Sequence, residues 1–401
     1  MKAHVISLGC PKNLCDSEVI MGNLVSLGYT LTPKQKEADV IVINTCSFLK
    51  SAREESILTI NKAIKAKKKG AKVYIAGCLP KLKNNLALSH KIDGIIDSVD
   101  IFNPHTPHVK ATNPWTAYVK ISEGCNNNCS YCLIPAIRGN LILKETKDIL
   151  KEVETLAKKG VKEIIFVAQD TTAHKEFIKI LERTAKIQGI RWIRIMYTHP
   201  AHISVQLIKT IAKEPKICKY IDLPMQHICD KILKKMKRGV SSLYMKRLIK
   251  KLRDAIPDII IRTSFIVGFP GETKSEFKKL VEFIRKTKFE RIGVFEYSRE
   301  EGTPAAKLRG QVPGKVRKER FHELMTLQNQ ISKELNNQLI GKIFDVLIEK
   351  KCKNFCIGRS YMDAPEIDGS VKIYNANLKL GEFVRGKIIK ASAYDLVACL
   401  T

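Results

Sequence analysis

GCNNNCSYC, residues 124–132, sets Cys125, Cys129 and Cys132 in a C-x-x-x-C-x-x-C array. Three thiolates this close can hold three corners of a cubane iron–sulfur cluster. The next cysteine along the chain is Cys218, so one iron would lack a protein ligand from this stretch. Clusters that only carry electrons ordinarily have four cysteine ligands. An open coordination position is the mark of a metal site that binds substrate, by the logic that separates catalytic from structural zinc. The alternatives are a zinc site or three unrelated core cysteines. A zinc knuckle would want a fourth Cys or His at short range, and none is present.

Upstream of this array, strand and helix patterns alternate. Residues 4–9 (HVISLG) read as a strand and 16–27 as a helix ended by Gly28. Residues 38–48 (ADVIVINTCSF) read as a buried strand running into a turn, 51–69 as a lysine-faced helix ended by Gly70, and 71–79 (AKVYIAGCL) as a third strand. Such alternation predicts a parallel sheet with helices on its faces and sites at the carboxyl ends of its strands. Cys10, Cys46 and Cys78 each fall just past one of these strand ends. The fold would bring them to one edge, where they could hold a second cluster with an open iron. The alternative is buried cysteine acting as a small hydrophobe. The stretch NPHTPHVKATNPW (103–115) reads as a linker, with His105 and His108 as surface residues.

Downstream, VKEIIFVAQD, RWIRIMYTHP, YIDLPMQH, IIIRTSFIVGF and RIGVFEYS read as strands. Helical runs such as 144–159, 241–255 and 275–287 separate them. This predicts a partial (β/α) barrel with its site at the strand C-termini. Residues 313–339 read as a long charged helix. Short strands with glycine-containing turns follow (KIFDVLIEK, VKIYNA, GEFVRGKIIKASAYDLVAC), the pattern of a small OB-like barrel. The expected units are residues 1–110, 111–336 and 337–401.

The 401 residues, 44% hydrophobic and 27% charged, describe a folded rather than a disordered chain. No apolar run reaches the length of a membrane span. Leu8-Gly9-Cys10 faintly resembles a lipoprotein cleavage site, but the apolar run before it is far too short for a signal segment, so a cytoplasmic location is expected. Twelve cysteines in a reducing compartment argue for metal ligands or free thiols. The net charge of +30 divides as +7 over residues 1–110, +3 over 337–401 and +20 between them. It favours encounter with polyanions or a ribosome-sized partner and identifies neither.

The C-x-x-x-C-x-x-C array, with Tyr131 just before its last cysteine, resembles the signature of radical S-adenosylmethionine enzymes. The whole chain is similar to the radical S-adenosylmethionine methylthiotransferases. The resemblance rests on SLGCPKNLCDSE at the start, VKISEGC, YIDLPMQHICD, TSFIVGFPGET, VFEYSREEGTPA and GRSYMDAPEIDG. It implies Cys125, Cys129 and Cys132 as ligands of a radical [4Fe-4S] cluster, whose open iron chelates the methionyl amino and carboxylate groups. It further implies Cys10, Cys46 and Cys78 as ligands of an auxiliary [4Fe-4S] cluster, and a C-terminal TRAM domain. Tyr131, Gln169, Gly268, Gly271 and Glu272 become candidates for binding S-adenosylmethionine. For the last three the alternative is a Gly-Pro turn entering a helix with Thr273 as its cap. Gln169 and Asp170, and Gln226 and His227, end barrel strands, and a polar strand end needs no functional explanation. Cys352 and Cys356, like Cys15, Cys218, Cys229 and Cys399, read as incidental. Leu143-Lys144 and Ala173-His174 stand where the family usually has Ser-Arg and Tyr-Gly, and Cys229 replaces a usual serine.

The LGCPKN start and the DAPEIDG run resemble the branch that modifies an aspartate of ribosomal protein uS12 at its β-carbon. That branch implies uS12 and an electron-donating reductant protein as partners of a monomeric enzyme. A tRNA methylthiotransferase acting on a modified adenosine is the alternative, since related TRAM domains bind RNA. A non-catalytic ribosome-associated or RNA-binding iron–sulfur protein is the alternative of another class. Asp363, Glu366 and Asp368 form an acidic stretch that either faces a basic ribosomal protein or is a solvated turn.

Overall fold

The computed structural model describes residues 1–82, 92–96, 102, 108–374 and 377–401, so His105 lies outside the described residues. Strands β1 (Lys2–Ser7), β2 (Thr30–Leu31), β3 (Val40–Thr45), β4 (Lys72–Gly77) and β5 (Gly94–Ile95) form a sheet in the order β2-β1-β3-β4-β5. All its pairings are parallel. Every residue of β3 is buried, as expected of a strand covered on both faces. Helix α1 (Pro11–Ser26) begins five residues earlier than the sequence pattern suggests. Cys10 occupies its N-cap position, and Pro11 supplies the fixed φ that suits a first helical residue. Helix α2 (Lys50–Ala66) follows β3.

The second sheet runs β13-β12-β11-β10-β9-β6, again parallel throughout. Its strands are β6 (Thr116–Lys120), β9 (Glu163–Val167), β10 (Trp192–Ile195), β11 (Ile217–Asp222), β12 (Ile260–Val267) and β13 (Arg291–Glu296). β6, absent from the sequence reading, leads into the cysteine loop through the small ribbon β7 (Ser122–Glu123) and β8 (Ile142–Leu143). Short helix α3 (Ile134–Arg138) lies between them. Helices α4 (Thr146–Lys158), α5 (Phe177–Ala185), α6 (Val205–Lys213), α7 (Asp230–Met236), α8 (Ser242–Ala255) and α9 (Lys274–Thr287) connect the strands. The start of α9 is fixed by a capping box between Thr273 and Glu276. Helix α10 (Gly314–Asn337) leads to a closed barrel of β14 (Ile343–Lys351), β15 (Phe355–Arg359), β16 (Val371–Tyr374), β18 (Leu396–Leu400) and β17 (Phe383–Ala391).

Alternation along the strands sorts the second sheet's side chains into two cores. Ala117, Val119, Ile164, Phe166, Ile193, Ile195, Ile221 and Ile261 pack under the helices. Tyr118, Ile165, Val167, Trp192, Tyr220 and Ile260 instead share a core with Val346, Ile348, Val371 and Ile373 of the C-terminal barrel. The barrel therefore seats on the inner face of the open sheet. Buried ion pairs cross this junction: Glu163 lies between Arg194 (3.0 Å) and Arg359 (2.6 Å).

The acidic stretch corrects an expectation. Asp363 is 1% exposed and pairs with Arg291 at 2.8 Å. Asp368 accepts a hydrogen bond from the Tyr220 hydroxyl (2.7 Å) and lies 3.5 Å from Arg262 Nε. Only Glu366 of the three is exposed. Asp363 and Asp368 face arginines of β13 and β12, so these two anchor the barrel and leave Glu366 alone of the three at the surface.

Candidate functional site

The N-terminal cysteines meet where β1, β3 and β4 end side by side. Gly9 adopts φ +90°, and a Cβ placed there would lie 2.8 Å from Cys46 Cβ and 2.9 Å from its Sγ. Only glycine admits this approach of the two loops. The amide of Asn13 donates to the Leu8 (2.6 Å) and Thr45 (3.2 Å) carbonyls, and the Asn44 amide donates to the Asn13 carbonyl (2.7 Å). These bonds zip the strand ends together. The Cys46 N–H donates to Ser56 Oγ (3.1 Å), whose hydroxyl donates back to the Cys46 carbonyl (2.7 Å), so α2 holds the second loop. Burial pushes the Cys46 and Cys78 thiols up, and each feels the charge of its neighbouring cysteines. Burial pushes Cys10 up as well, but Lys12, the Asn13 and Lys12 N–H groups and Arg138 outweigh it and leave this thiol below its ordinary range.

The second cysteine set lies in the loop between β7 and α3. Its entry is Gly124 (φ +70°), where a Cβ would stand 2.0 Å from the Asn140 carbonyl oxygen. The Asn127 N–H donates to Cys125 Sγ, the Ile134 N–H to Cys132 Sγ and the Arg238 guanidinium to Cys129 Sγ, each at 3.4 Å. Burial pushes Cys132 to about 12 and raises Cys125, with the companion cysteines adding to both. All six cysteines are free thiols. Two sets of three mutually repelling sulfurs, each met by N–H donors, suit a cationic metal core. Such a core would take them as thiolates and release their protons.

Arg138 ties the two sets together. It sits six residues after Cys132 and donates to Cys78 Sγ from Nε (3.4 Å) and Nη2 (3.2 Å). It also binds Asp16 (2.7 Å) and Asn13 Oδ1 (2.8 Å) of α1. Lys120 reaches Asp16 at 2.7 Å and pairs with Glu123, to which Gln169 donates at 3.2 Å. On the other side Glu300 pairs with Arg53 (2.6 Å) and accepts the Lys50 N–H (2.9 Å), holding the start of α2 against the barrel.

The other expected residues divide. Tyr131 stands edge-on to Phe269 at 6.4 Å, beside the cysteine loop. Gln169 keeps a buried Oε1 with no donor. Gly268 and Gly271 both have left-handed backbones (φ +72° and +83°). Glu272 is fully buried, accepts the Gly268 N–H (2.9 Å) and pairs with Arg320 (2.7 Å), so it shapes the loop from behind. Gln226 has φ +70°. His227 is buried with Nδ1 accepting the Cys229 N–H (2.9 Å) and Nε2 lying 3.6 Å from Glu272. Lys144, at the position of the family's usual arginine, turns to Glu152 (2.5 Å). His108 is exposed.

Sequence reasoning missed several residues here. Arg138 ends short helix α3 and Arg238 follows helix α7, and nothing in the local pattern marks either as a neighbour of the cysteine sulfurs. Asp170, read from the sequence only as a polar strand end, joins His202 (2.7 Å) and the Asn127 amide (2.8 Å), with the unread His199 ring tilted against His202 at 5.1 Å. Burial holds His199 neutral, near 3, with Arg238 adding to the effect. The signal that could have found the histidines is their place at the end of β10.

Residues 2–97 match the Uncharacterized protein family UPF0004, 119–284 the Radical SAM superfamily and 340–400 the TRAM domain. The fold is similar to a radical S-adenosylmethionine methyltransferase, TsrM, from Kitasatospora setae, with TM-score 0.55 and 14% identity over 76% of each chain. It is also similar to the cobalamin-dependent radical enzyme OxsB, with TM-score 0.51 and 10% identity over 82% of this chain and 56% of that one. The ribosomal protein uS12 methylthiotransferase RimO of Desulforamulus reducens is 43% identical over 98% of both chains. That of Carboxydothermus hydrogenoformans is 42% identical over 99% of this chain and 98% of its own. With both cysteine sets at the carboxyl edges of two parallel sheets and this identity along the full length, the chain belongs to the RimO family of radical S-adenosylmethionine methylthiotransferases.

Proposed function

We propose that this chain inserts a methylthio group at the β-carbon of an aspartate of ribosomal protein uS12. The observation that carries the reading is the pair of three-thiol sets joined through Arg138, in a chain similar along its whole length to uS12 methylthiotransferases. Cys125, Cys129 and Cys132 hold the radical [4Fe-4S] cluster, and Cys10, Cys46 and Cys78 the auxiliary one. When bound, these clusters with S-adenosylmethionine supply the homolytic C–H cleavage and sulfur delivery that acid–base side chains cannot.

The protein's own residues bind, orient and shield. Asn127, Ile134 and Arg238 direct N–H groups at the sulfurs of one set, and Arg138 at Cys78 of the other. Such donors tune a cluster and fix its ligands. Tyr131, Gln169, Gly268 and Gly271 line the S-adenosylmethionine site. The unpaired Gln169 oxygen offers an acceptor to an ammonium. Glu272 acts as a positioning residue behind Gly268. The working units are residues 1–110, 111–336 and 337–401. The enzyme acts as a cytoplasmic monomer fed by a reductant protein; separately, none of the described helices is long and apolar enough to cross a membrane.

The test is the mass of a uS12 peptide carrying the target aspartate, after anaerobic incubation with reconstituted enzyme, reductant and S-adenosylmethionine. A gain of one methylthio group, lost in Cys125→Ala, is the expected result. An unchanged peptide despite steady release of 5′-deoxyadenosine would reject uS12 and direct the search to tRNA.

A further inference from the structure

One cation that lowers the Cys10 thiol has no carboxylate partner among the described residues. Lys12 lies in the first turn of α1, two residues past Cys10, and is half-buried. Its ammonium rests over the Tyr197 ring, 3.2 Å from the centroid. Among the described residues no carboxylate pairs with it. Its cationic neighbours are matched: Lys120 and Arg138 share Asp16 and Glu123, and Arg262 pairs with Asp222. A ring face engages one side of an ammonium that has three donors, so the remaining N–H groups are free for an acceptor.

The platform beneath it is fixed. Tyr197 follows β10 and holds φ +58°, a left-handed backbone that a bulky residue rarely adopts. Its carbonyl accepts the Thr171 N–H (2.9 Å) and its N–H donates to Asp222 (3.0 Å). Strain of this kind persists where the surroundings over-determine it, and it concentrates at ligand sites. Lys12, in the helix that follows β1, and Tyr197, in the loop that follows β10, thus meet at the carboxyl edge that carries Cys10.

We infer that Lys12 binds the side-chain carboxylate of the substrate aspartate, with Tyr197 as the surface that aims its ammonium. The inference rests on the uS12 reading above. A carboxylate held there keeps the reacting β-carbon one bond from the bound group, beside the Cys10 set. The methionyl carboxylate of S-adenosylmethionine has the same chemistry. Lys12, however, stands beside Cys10 and not on the Cys125 loop, which favours the substrate.

The test is a double comparison of binding. Anaerobically loaded parent, Lys12→Met and Lys12→Arg chains are titrated without reductant with two labelled uS12 peptides, one carrying the target Asp and one carrying Asn there. Lys12→Met is expected to weaken the Asp peptide by about tenfold and the Asn peptide by less than about twofold, while Lys12→Arg keeps the preference. Lys12→Gln serves the same comparison if Lys12→Met does not retain its iron. Equal weakening of both peptides, or none, overturns the inference. So does a loss of S-adenosylmethionine affinity without peptide, which would assign Lys12 to the methionyl carboxylate. A parent chain that binds no Asp peptide refutes the uS12 reading itself, and the inference falls with it. A parent that binds the peptide and loses nothing in Lys12→Met refutes the inference alone.

Discussion

Glu163→Gln should loosen the C-terminal barrel from the sheet by about 3 kcal/mol, and two routes give that size. The Glu163 carboxylate is wholly buried. It accepts from Arg194 Nε (3.0 Å), Arg359 Nη2 (2.6 Å) and Thr116 Oγ1 (3.2 Å). With the charge removed, Arg359 keeps Glu349 (2.7 Å), but Arg194 keeps only the Tyr361 carbonyl (2.8 Å) and the Tyr220 ring. Removing one partner of a buried pair costs about 3–5 kcal/mol, because the remaining charge stays buried and uncompensated. The second route is titration. Burial alone would raise the Glu163 pKa, but Arg359 and Arg194 overcome it and hold the group at about 2 against its ordinary 4.5. That difference corresponds to about 3 kcal/mol. Because the folded-state value is depressed, this stability is fully present above about pH 4.5 and is lost as pH falls towards about 2. The assay is built in: both tryptophans of the chain sit at the junction. Trp192 stands edge-on to Phe383 at 4.7 Å, and a Cβ on Gly381 would lie 2.7 Å from the Trp115 ring. Their fluorescence in urea should report undocking at a midpoint lower by roughly 2 M in the variant, for a slope near 1–2 kcal/mol/M. An unchanged midpoint at pH 7 would refute the reasoning, as would an acid limb as steep in Glu163→Gln as in the parent.

Three further outcomes are expected. Gly9→Ala adds a left-handed alanine, about 1 kcal/mol, and a clash with Cys46, so iron per chain should fall by about half; full iron content would show that the loop yields instead. Arg138→Met leaves Asp16 with Lys120 as its remaining cation and removes both side-chain donors to Cys78. It should cost about 3 kcal/mol in docking of the N-terminal sheet, seen as faster hydrogen exchange in α1, with Arg138→Lys falling between it and the parent. Cys125→Ala should abolish 5′-deoxyadenosine formation, whereas Cys78→Ala should retain it and lose methylthio transfer. Loss of both activities in both variants would mean that the two sets do not act separately.

What was legible in the sequence was local, and what was not was long-range. A strand that ends in cysteine can be read from about ten residues, and three such strands in parallel order place Cys10, Cys46 and Cys78 at one edge by topology alone. The loop of Cys125, Cys129 and Cys132 is more local still. Even the missed strand Thr116–Lys120 is a run of buried residues, hidden by its brevity and by the linker before it. Asp363 and Asp368 differ in kind. Nothing near them shows that Arg291 and Arg262, some seventy to a hundred residues away, will reach them; only the seating of the barrel on the inner face brings the charges together. Arg138 is the same case at the site, since its partners Asp16 and Asn13 of α1 and Cys78 after β4 lie sixty or more residues before it. These misreadings share a cause. A charged side chain in a sequence looks solvated by default, because burial without a partner would cost too much. Here the partners exist, on distant segments, and they hold the three parts of the chain together. The same logic gives Lys12 its interest: it is the half-buried cation at this edge for which the described chain provides no carboxylate, which leaves that place to the substrate.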